Sequence, residues 1–392
     1  MSFEVKGWCP GALRPMASGD GLVLRIRARN GRLEPWQAQA IADLSWSHGN
    51  GMMDLTSRAN LQLRGLDARG HGKATAALAR LGLLDDSPEA EARRNVILSP
   101  FAPLGGAAWQ AAETIARSMT APDAPPVPGK FGFAVDADPP VLAGTPADIR
   151  LRPQGPGWLV LPDGGDWALP ARNAAQAAAR AVELARWFTQ GGVRDGRGRM
   201  RDHLRHAPDP APGATPLPPS LLCKYPCDSA TGTAGADPAG PGPGPAPNGW
   251  LLGFAFGQIT ARQLAEAAAL GPLRLTPWRA LLIEGASRPH IGGAILDPGD
   301  PLLRIHACTG APGCPQALAD VRALARSLAP RLAPGQSLHV SGCAKGCACQ
   351  GAASVTLVAT GPDRFDLIRN GRPRDAAALA GLAPDRIPPL LR

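Results

Sequence analysis

GMMDLTSRANLQLRG (residues 51–65) and GPLRLTPWRALLIEG (residues 271–285) are the two stretches that decide the fold. Laid side by side without a gap, they set Leu55, Thr56, Leu61, Leu63 and Gly65 opposite Leu275, Thr276, Leu281, Ile283 and Gly285. Apolar residues recur by chance, but a threonine and a glycine held in register with them indicate a duplicated unit. Upstream, GLVLRIRAR (21–29) and GWLLGFAFG (249–257) both alternate as strands do. Each is followed by an alanine-rich helical stretch, PWQAQAIADL in one and TARQLAEAAAL in the other. Both copies therefore read strand–helix–strand.

The repetition reaches further. Ile149, Leu151, Gly155, Pro156, Leu159 and Leu161 fall opposite Val355, Leu357, Gly361, Pro362, Phe365 and Leu367, two strands joined by a Gly-Pro turn in each half. Before them, RNVILSP and a helix around residues 109–119 match LLRIHAC and a helix over 315–328. The latter has Pro315 in its first turn and Leu318, Val321, Ala325 and Leu328 as its apolar stripe. Between the copies, residues 207–248 are rich in Pro, Gly and Ala, including GPGPGPAPNG, and read as a linker that forms no packed element. The expected class is α+β.

Only the second copy carries CTGAPGC (Cys308, Cys314) and GCAKGC (Cys343, Cys347). Two close cysteine pairs separated by a helix–strand unit can converge on one centre, and four thiolates suit zinc or an iron–sulfur cluster. Structural zinc usually takes pairs with two to four residues between them, so the longer first pair fits zinc poorly and a cluster better. Cys349 lies just past the last of these thiols and is not expected to be a ligand. Cys223 and Cys227 in CKYPC, with His203 and His206 in DHLRH, form a weaker set and read as surface residues.

Composition sets the class. A chain of 392 residues is too long for one ordinary core and suggests two or more domains. With 44% hydrophobic residues and no apolar run long enough to cross a bilayer, a soluble protein is expected. The start, MSFEVKGWCPGALRP, lacks a signal-peptide pattern. A cytoplasmic address is therefore expected, where eight cysteines are ligands or free thiols rather than disulfides. The formal charge is +9, yet there is no lysine-rich arm, no helix-turn-helix and only one tyrosine, which argues against nucleic acid. Arginines dispersed through strand-like segments suit a small polyanion held by several separate forks. No G-x-G-x-x-G opens a helix after a strand, so electrons are expected from an external donor.

Along nearly its whole length the chain resembles the sulfite/nitrite reductase superfamily, in which a [4Fe-4S] cluster sits beside a tetrapyrrole. The resemblance implies internally duplicated ferredoxin-like half-domains plus two larger α+β units around a pseudo-twofold axis. The boundaries would be 1–75 and 249–297 for the half-domains, 76–206 for the first larger unit, and 298–392 for the cluster-binding one. It implies Cys308, Cys314, Cys343 and Cys347 as cluster ligands. It further implies Arg58 in LTSRANLQLRG, Arg94 in RRNVILSP and Lys130 in PGKFGF as the basic residues of the reactive face. The family's second lysine is Gly132 here. WCPGALRPMASGDGLVLRIR, LTSRANLQLRG, CTGAPGCPQA and LHVSGCAKGCA are most similar to the precorrin-3B synthase family. That similarity implies oxygen-dependent hydroxylation of precorrin-3A at C20, with lactone formation by the ring A acetate, in aerobic cobalamin synthesis. Sirohaem or a non-haem iron would be the further cofactor. Two other readings use the same residues: a sirohaem-dependent nitrite or sulfite reductase, and a non-catalytic iron–sulfur protein that only binds a tetrapyrrole.

Overall fold

The computed structural model describes residues 9–206, 209–217, 240–349 and 351–391. Its described strands form four sheets, two built from the short repeats and two from the larger ones. The first sheet runs Met16–Ser18, Gly21–Ile26, Leu61–Leu66, Met52–Leu55 and Gln258–Thr260. The second runs Gly244–Ala246, Gly249–Leu252, Leu281–Glu284, Leu273–Leu275 and Arg32–Leu33. The last strand of each comes from the other repeat: Gln258 lies opposite Asp54, and Leu33 opposite Leu273. The two copies have exchanged a strand.

Local geometry shows how. After its first strand each copy makes the same left-handed kink, at Asn30 and Gly31 (φ 51° and 70°) and at Phe256 and Gly257 (φ 61° and 69°). The kink carries the chain off its own sheet onto the neighbouring one. A helix follows at once, Pro35–His48 or Ala261–Ala268. A glutamine in the first turn of each reaches back to the chain: Glu34 N–H donates to Gln37 Oε1 and Thr260 N–H to Gln263 Oε1, both at 2.9 Å. The in-register threonines close hairpins, since Asn60 N–H donates to Thr56 Oγ1 (3.1 Å) and Ala280 N–H to Thr276 Oγ1 (3.3 Å). The strand–helix–strand reading was therefore too simple. Each final strand is two, and a short exchanged strand precedes each helix. Leu24, Ile26 and Leu63 share one core with Leu252, Leu264 and Ile283 from the other copy.

The larger units also match each other. One sheet runs Val96–Leu98, Phe133–Val135, Ile149–Gln154, Gly157–Pro162, Trp167–Ala171 and Thr215–Pro216; the other runs Ile305–Ala307, Leu338–Ser341, Ala353–Gly361, Arg364–Gly371 and Leu379–Leu382. In both, the first three strands are parallel and the rest antiparallel. Parallel neighbours need crossovers, supplied by segments that include the helices Ala107–Thr120 and Val321–Leu328. The helix expected over 315–328 starts only at Val321. Asp320 caps it, its carboxylate accepting from the N–H of Arg322 and Ala323, and Leu318 is left 37% exposed. Pro315 belongs to the cysteine loop instead. The linker needs the same correction at its ends, because Thr215–Pro216 and Gly244–Ala246 are paired edge strands. Cys223 and Cys227 lie outside the described residues.

Candidate functional site

Cys308 follows the end of the Ile305–Ala307 strand, and Cys343 follows Leu338–Ser341, its parallel neighbour. Parallel pairing brings the two cysteine-bearing segments out at the same edge. Glycine makes room for them. A Cβ on Gly342 would stand 2.7 Å from Ala317 Cβ and 3.5 Å from Cys308 Sγ, while Gly310 (φ 71°) and Gly346 (φ 66°) turn left-handed. Gly342 N–H donates to Cys308 Sγ at 3.2 Å, and Gly310 adds a second backbone donor to that sulfur.

The four thiols feel one another. Burial pushes the Cys308 thiol up, and the nearby Cys314 and Cys343 push it further. Cys347 meets solvent at its outer edge, yet the chain packed around it pushes it up to about 11; Lys345 opposes the shift and the other three thiols add to it. Burial therefore disfavours free thiolates at Cys308 and Cys347. Among the described residues, no group of three or more His, Cys, Asp or Glu is arranged to hold a metal ion. Cys349 is buried nearby, its thiol donating to Gly351 O at 3.7 Å.

The first larger unit holds the same two loops without thiols. Leu98 lies opposite Val135 as Ala307 lies opposite Val340. Ser99 follows Leu98 where Cys308 follows Ala307, and the segment after Val135 has no thiol where Cys343 and Cys347 follow Val340. The buried Asp136 organises the latter loop, accepting from the N–H of Ala137, Val141 and Leu142.

The polar side of the first sheet grips the cysteine loop. Ser18 Oγ (2.6 Å), Gly19 N–H (3.1 Å) and Arg64 Nη2 (3.3 Å) all donate to Gly313 O, beside Cys314. Arg64 is paired with Asp20 (2.8 Å) and Asp54 (3.1 Å). Asp54 also takes Arg322 (3.2 Å), whose Nε donates to Cys308 O at 3.1 Å. Two arginines bridged by one aspartate thus hold carbonyls at both ends of the Cys308–Cys314 loop. The other copy keeps this device with its charges exchanged between strands. Arg274 stands at the position of Asp54 and Glu284 at that of Arg64; they pair, and Arg274 Nη2 donates to Ala102 O of the first unit's loop at 3.4 Å.

The expected basic residues do not form one set. Arg94 is buried and makes a two-pronged pair with Asp85, both bonds 2.8 Å, while also donating to Arg27 O. Its guanidinium is thus held in place by Asp85 and the Arg27 carbonyl, and it lines the same small recess as Arg58. Arg58 is better placed. It lines a small recess with Arg27, Asn60, Arg94, Asn95 and Gly132, and donates to Lys130 O at 2.9 Å. Burial lowers its pKa, Arg199 lowers it further, and no ion pair is formed by its side chain among the described residues. Lys130 itself is exposed on a cavity of about 510 Å³ that it shares with Arg194, Arg197, Arg199, His203 and His206. Of the weaker metal set, His203 packs against Trp187 and Phe188, and His206 Nδ1 bonds Asp202 O at 2.9 Å.

Gly132 is buried rather than open. A Cβ there would meet Asn95 O at 3.2 Å and Arg58 Nη1 at 3.6 Å, and its N–H donates to Asp148. Close packing and nearness to Arg58 both apply. A larger cavity, about 780 Å³, occupies the equivalent place in the second copy, where Trp278 replaces Arg58. Its arginines are tied to the chain, Arg279 to Ala348 O and Arg304 to Ala333 O and Gln336 O. The sequence reading missed one residue, Arg25. It is 8% exposed, and its Nε and Nη1 have no hydrogen-bond partner among the described residues.

Residues 14–81 match the nitrite/sulfite reductase ferredoxin-like half domain. The resemblance read from the sequence holds. A curated precorrin-3B synthase from Sinorhizobium sp is 29% identical over 411 aligned residues, covering 93% of this chain and 83% of that relative. Among solved structures, the Mycobacterium tuberculosis NirA protein matches with a TM-score of 0.60 over 94% of this chain and 79% of that one. At 16% identity that likeness is one of fold. No helix among the described residues is long and apolar enough to cross a membrane.

Proposed function

We propose that this chain is an oxidoreductase of cobalamin biosynthesis that acts on a tetrapyrrole, in the manner of precorrin-3B synthase. The reaction would be oxygen-dependent hydroxylation of precorrin-3A at C20, with the ring A acetate closing a lactone. The observation that carries this reading is the similarity to a curated precorrin-3B synthase across 93% of the chain. The gathered thiols and the guanidinium-rich cleft give that similarity a chemical content.

Cys308, Cys314, Cys343 and Cys347 would hold a [4Fe-4S] cluster, which when bound supplies electrons singly from an external donor. The chain's own part is to bind and orient. The N–H groups of Gly342 and Gly310 point at Cys308 Sγ and favour its thiolate. Arg58 would pair with a substrate carboxylate, a contact worth having for a polycarboxylate ligand. Arg94 would fix the Arg27 backbone beneath it, and Lys130 would add positive field at the cavity mouth.

The test is incubation of the reconstituted protein with precorrin-3A, a reductant and labelled oxygen, followed by mass analysis. Incorporation of one labelled oxygen atom at C20 with a lactone is the expected result. Sirohaem bands accompanied by nitrite or sulfite turnover, and no change in precorrin-3A, would overturn it in favour of a reductase.

A further inference from the structure

The gapless alignment of the two repeats sets Ala59 opposite Arg279, and both residues are left-handed (φ 52° and 57°). The hairpin takes that conformation in either copy, so what the second copy adds is the guanidinium. This group lines the cavity of about 780 Å³ and donates through Nη2 to Ala348 O, beside Cys347, at 2.9 Å. Arg64, Arg322 and Arg274 hold loops of the larger units in the same way, and each of them has a carboxylate. Asp20 and Asp54 serve the first, Asp54 the second and Glu284 the third. Arg279 forms no ion pair among the described residues, and neither does Arg304 on the same cavity. No Asp or Glu stands among the cavity's described lining residues. His339 is fully buried near Arg279 with both ring nitrogens unpartnered. Burial above all, with His306 and Arg279 adding, pushes it down to about 3, and no anion opposes them.

We propose that this cavity is a binding site for an aromatic carboxylate, whose acid group is received by Arg279 and whose occupancy steadies the Cys343–Cys347 loop. The ligand class follows from the walls. Phe256, Trp278 and Leu303 offer an apolar surface, and a space of this size suits a small organic molecule. Two guanidinium groups without carboxylates balance one or two acid groups, fewer than a polycarboxylate macrocycle carries. The same two charges disfavour a metal cation. The cavity is separate from the Arg58 recess, since among the described residues the two share only Pro146 in their linings. An acid that fixes the guanidinium from the cavity side makes the same side chain a firmer donor to Ala348 O. The ligand thereby does for the Cys343–Cys347 loop what Asp54 does, through Arg322, for the Cys308–Cys314 loop. The site does not depend on the reaction proposed for the Arg58 recess.

Calorimetric titration of the full chain with naphthoate, and with the uncharged naphthalenemethanol of nearly the same shape, tests the site. Wild type should bind the acid about tenfold to a hundredfold more tightly than the alcohol, the range for a hydrogen bond to a charged group. Arg279→Met should erase that preference. Ala352→Phe, which fills the cavity without changing charge, should weaken both ligands. Hydrogen exchange at the amides of residues 343–349 should slow when naphthoate binds wild type and stay unchanged in Arg279→Met. Failure of wild type to bind naphthoate, equal affinity for acid and alcohol, or full preference in Arg279→Met overturns the proposal. Undiminished binding in Ala352→Phe puts the ligand elsewhere and overturns it too, and this variant decides if Arg279→Met does not fold. Displacement of naphthoate by uroporphyrin merges the cavity with the tetrapyrrole cleft and overturns a separate site. Binding that leaves exchange at 343–349 unaltered overturns the link to the thiols.

Discussion

At the scale of single residues, the thiols and the arginines were legible to different degrees. Cysteine spacing singled out Cys308, Cys314, Cys343 and Cys347, and the structure carries them on two loops that follow adjacent parallel strands. Their role has a sharp test. Cys347→Ser should abolish the broad absorbance near ~400 nm, a region taken as roughly typical of iron–sulfur clusters, whereas Cys349→Ser should keep it, since that thiol bonds Gly351 O. A full cluster in Cys347→Ser, checked by iron and sulfide analysis, would remove it from the ligand set. The arginines were harder. Nothing in RIRAR separates Arg25 from Arg27 and Arg29; the carboxylates that separate them, Glu91 and Asp85, sit far along the chain. Arg94 is a like case, since Asp85, which pairs with it, meets it only in the fold.

Elements were legible where periodicity was long and obscure where a turn or cap decided the boundary. Alternation located the strands Gly21–Ile26 and Gly249–Leu252, but two- and three-residue strands such as Arg32–Leu33 and Gln258–Thr260 carry too little pattern to announce themselves. Asp320 outranked Pro315 as the start of the last crossover helix because its side chain satisfies two N–H groups there. That helix matters through Arg322, which shares Asp54 with Arg64. Asp54→Asn should leave two nearly buried guanidinium groups short of charge and destabilise the protein by about 2–4 kcal/mol. It should also speed bleaching of the cluster by a chelator, because Arg322 no longer holds Cys308 O firmly. Asp20→Asn, which touches Arg64 but not Arg322, is the control and should bleach more slowly than Asp54→Asn. Equal rates for the two variants and wild type would show that the aspartate bridge does not secure the loop.

At the scale of the whole molecule, duplication was readable from Thr56 and Gly65 falling in register with Thr276 and Gly285, while the exchange of strands was not, because a repeat looks the same whichever sheet its strands join. The exchange forbids a simple cut. A fragment of residues 1–206 lacks the Gln258–Thr260 strand and the apolar face of Leu264 that completes its core. It should show no cooperative unfolding transition by itself, and should gain one when mixed with a fragment of residues 240–392. A sharp transition in the first fragment alone would mean that the borrowed strand is dispensable.

The borrowed strand also sets a clock on the ribosome. Asp54 must wait for Gln258, about 200 residues later, which at ~5–20 residues per second is roughly 10–40 s of synthesis. Through that interval the Met52–Leu55 strand is an open edge, its backbone groups ready to pair with any passing strand. The nascent chain is therefore at its most sticky midway through its making, and shielding of that edge by a chaperone, rather than the stability of the finished fold, would govern how much protein a cell recovers.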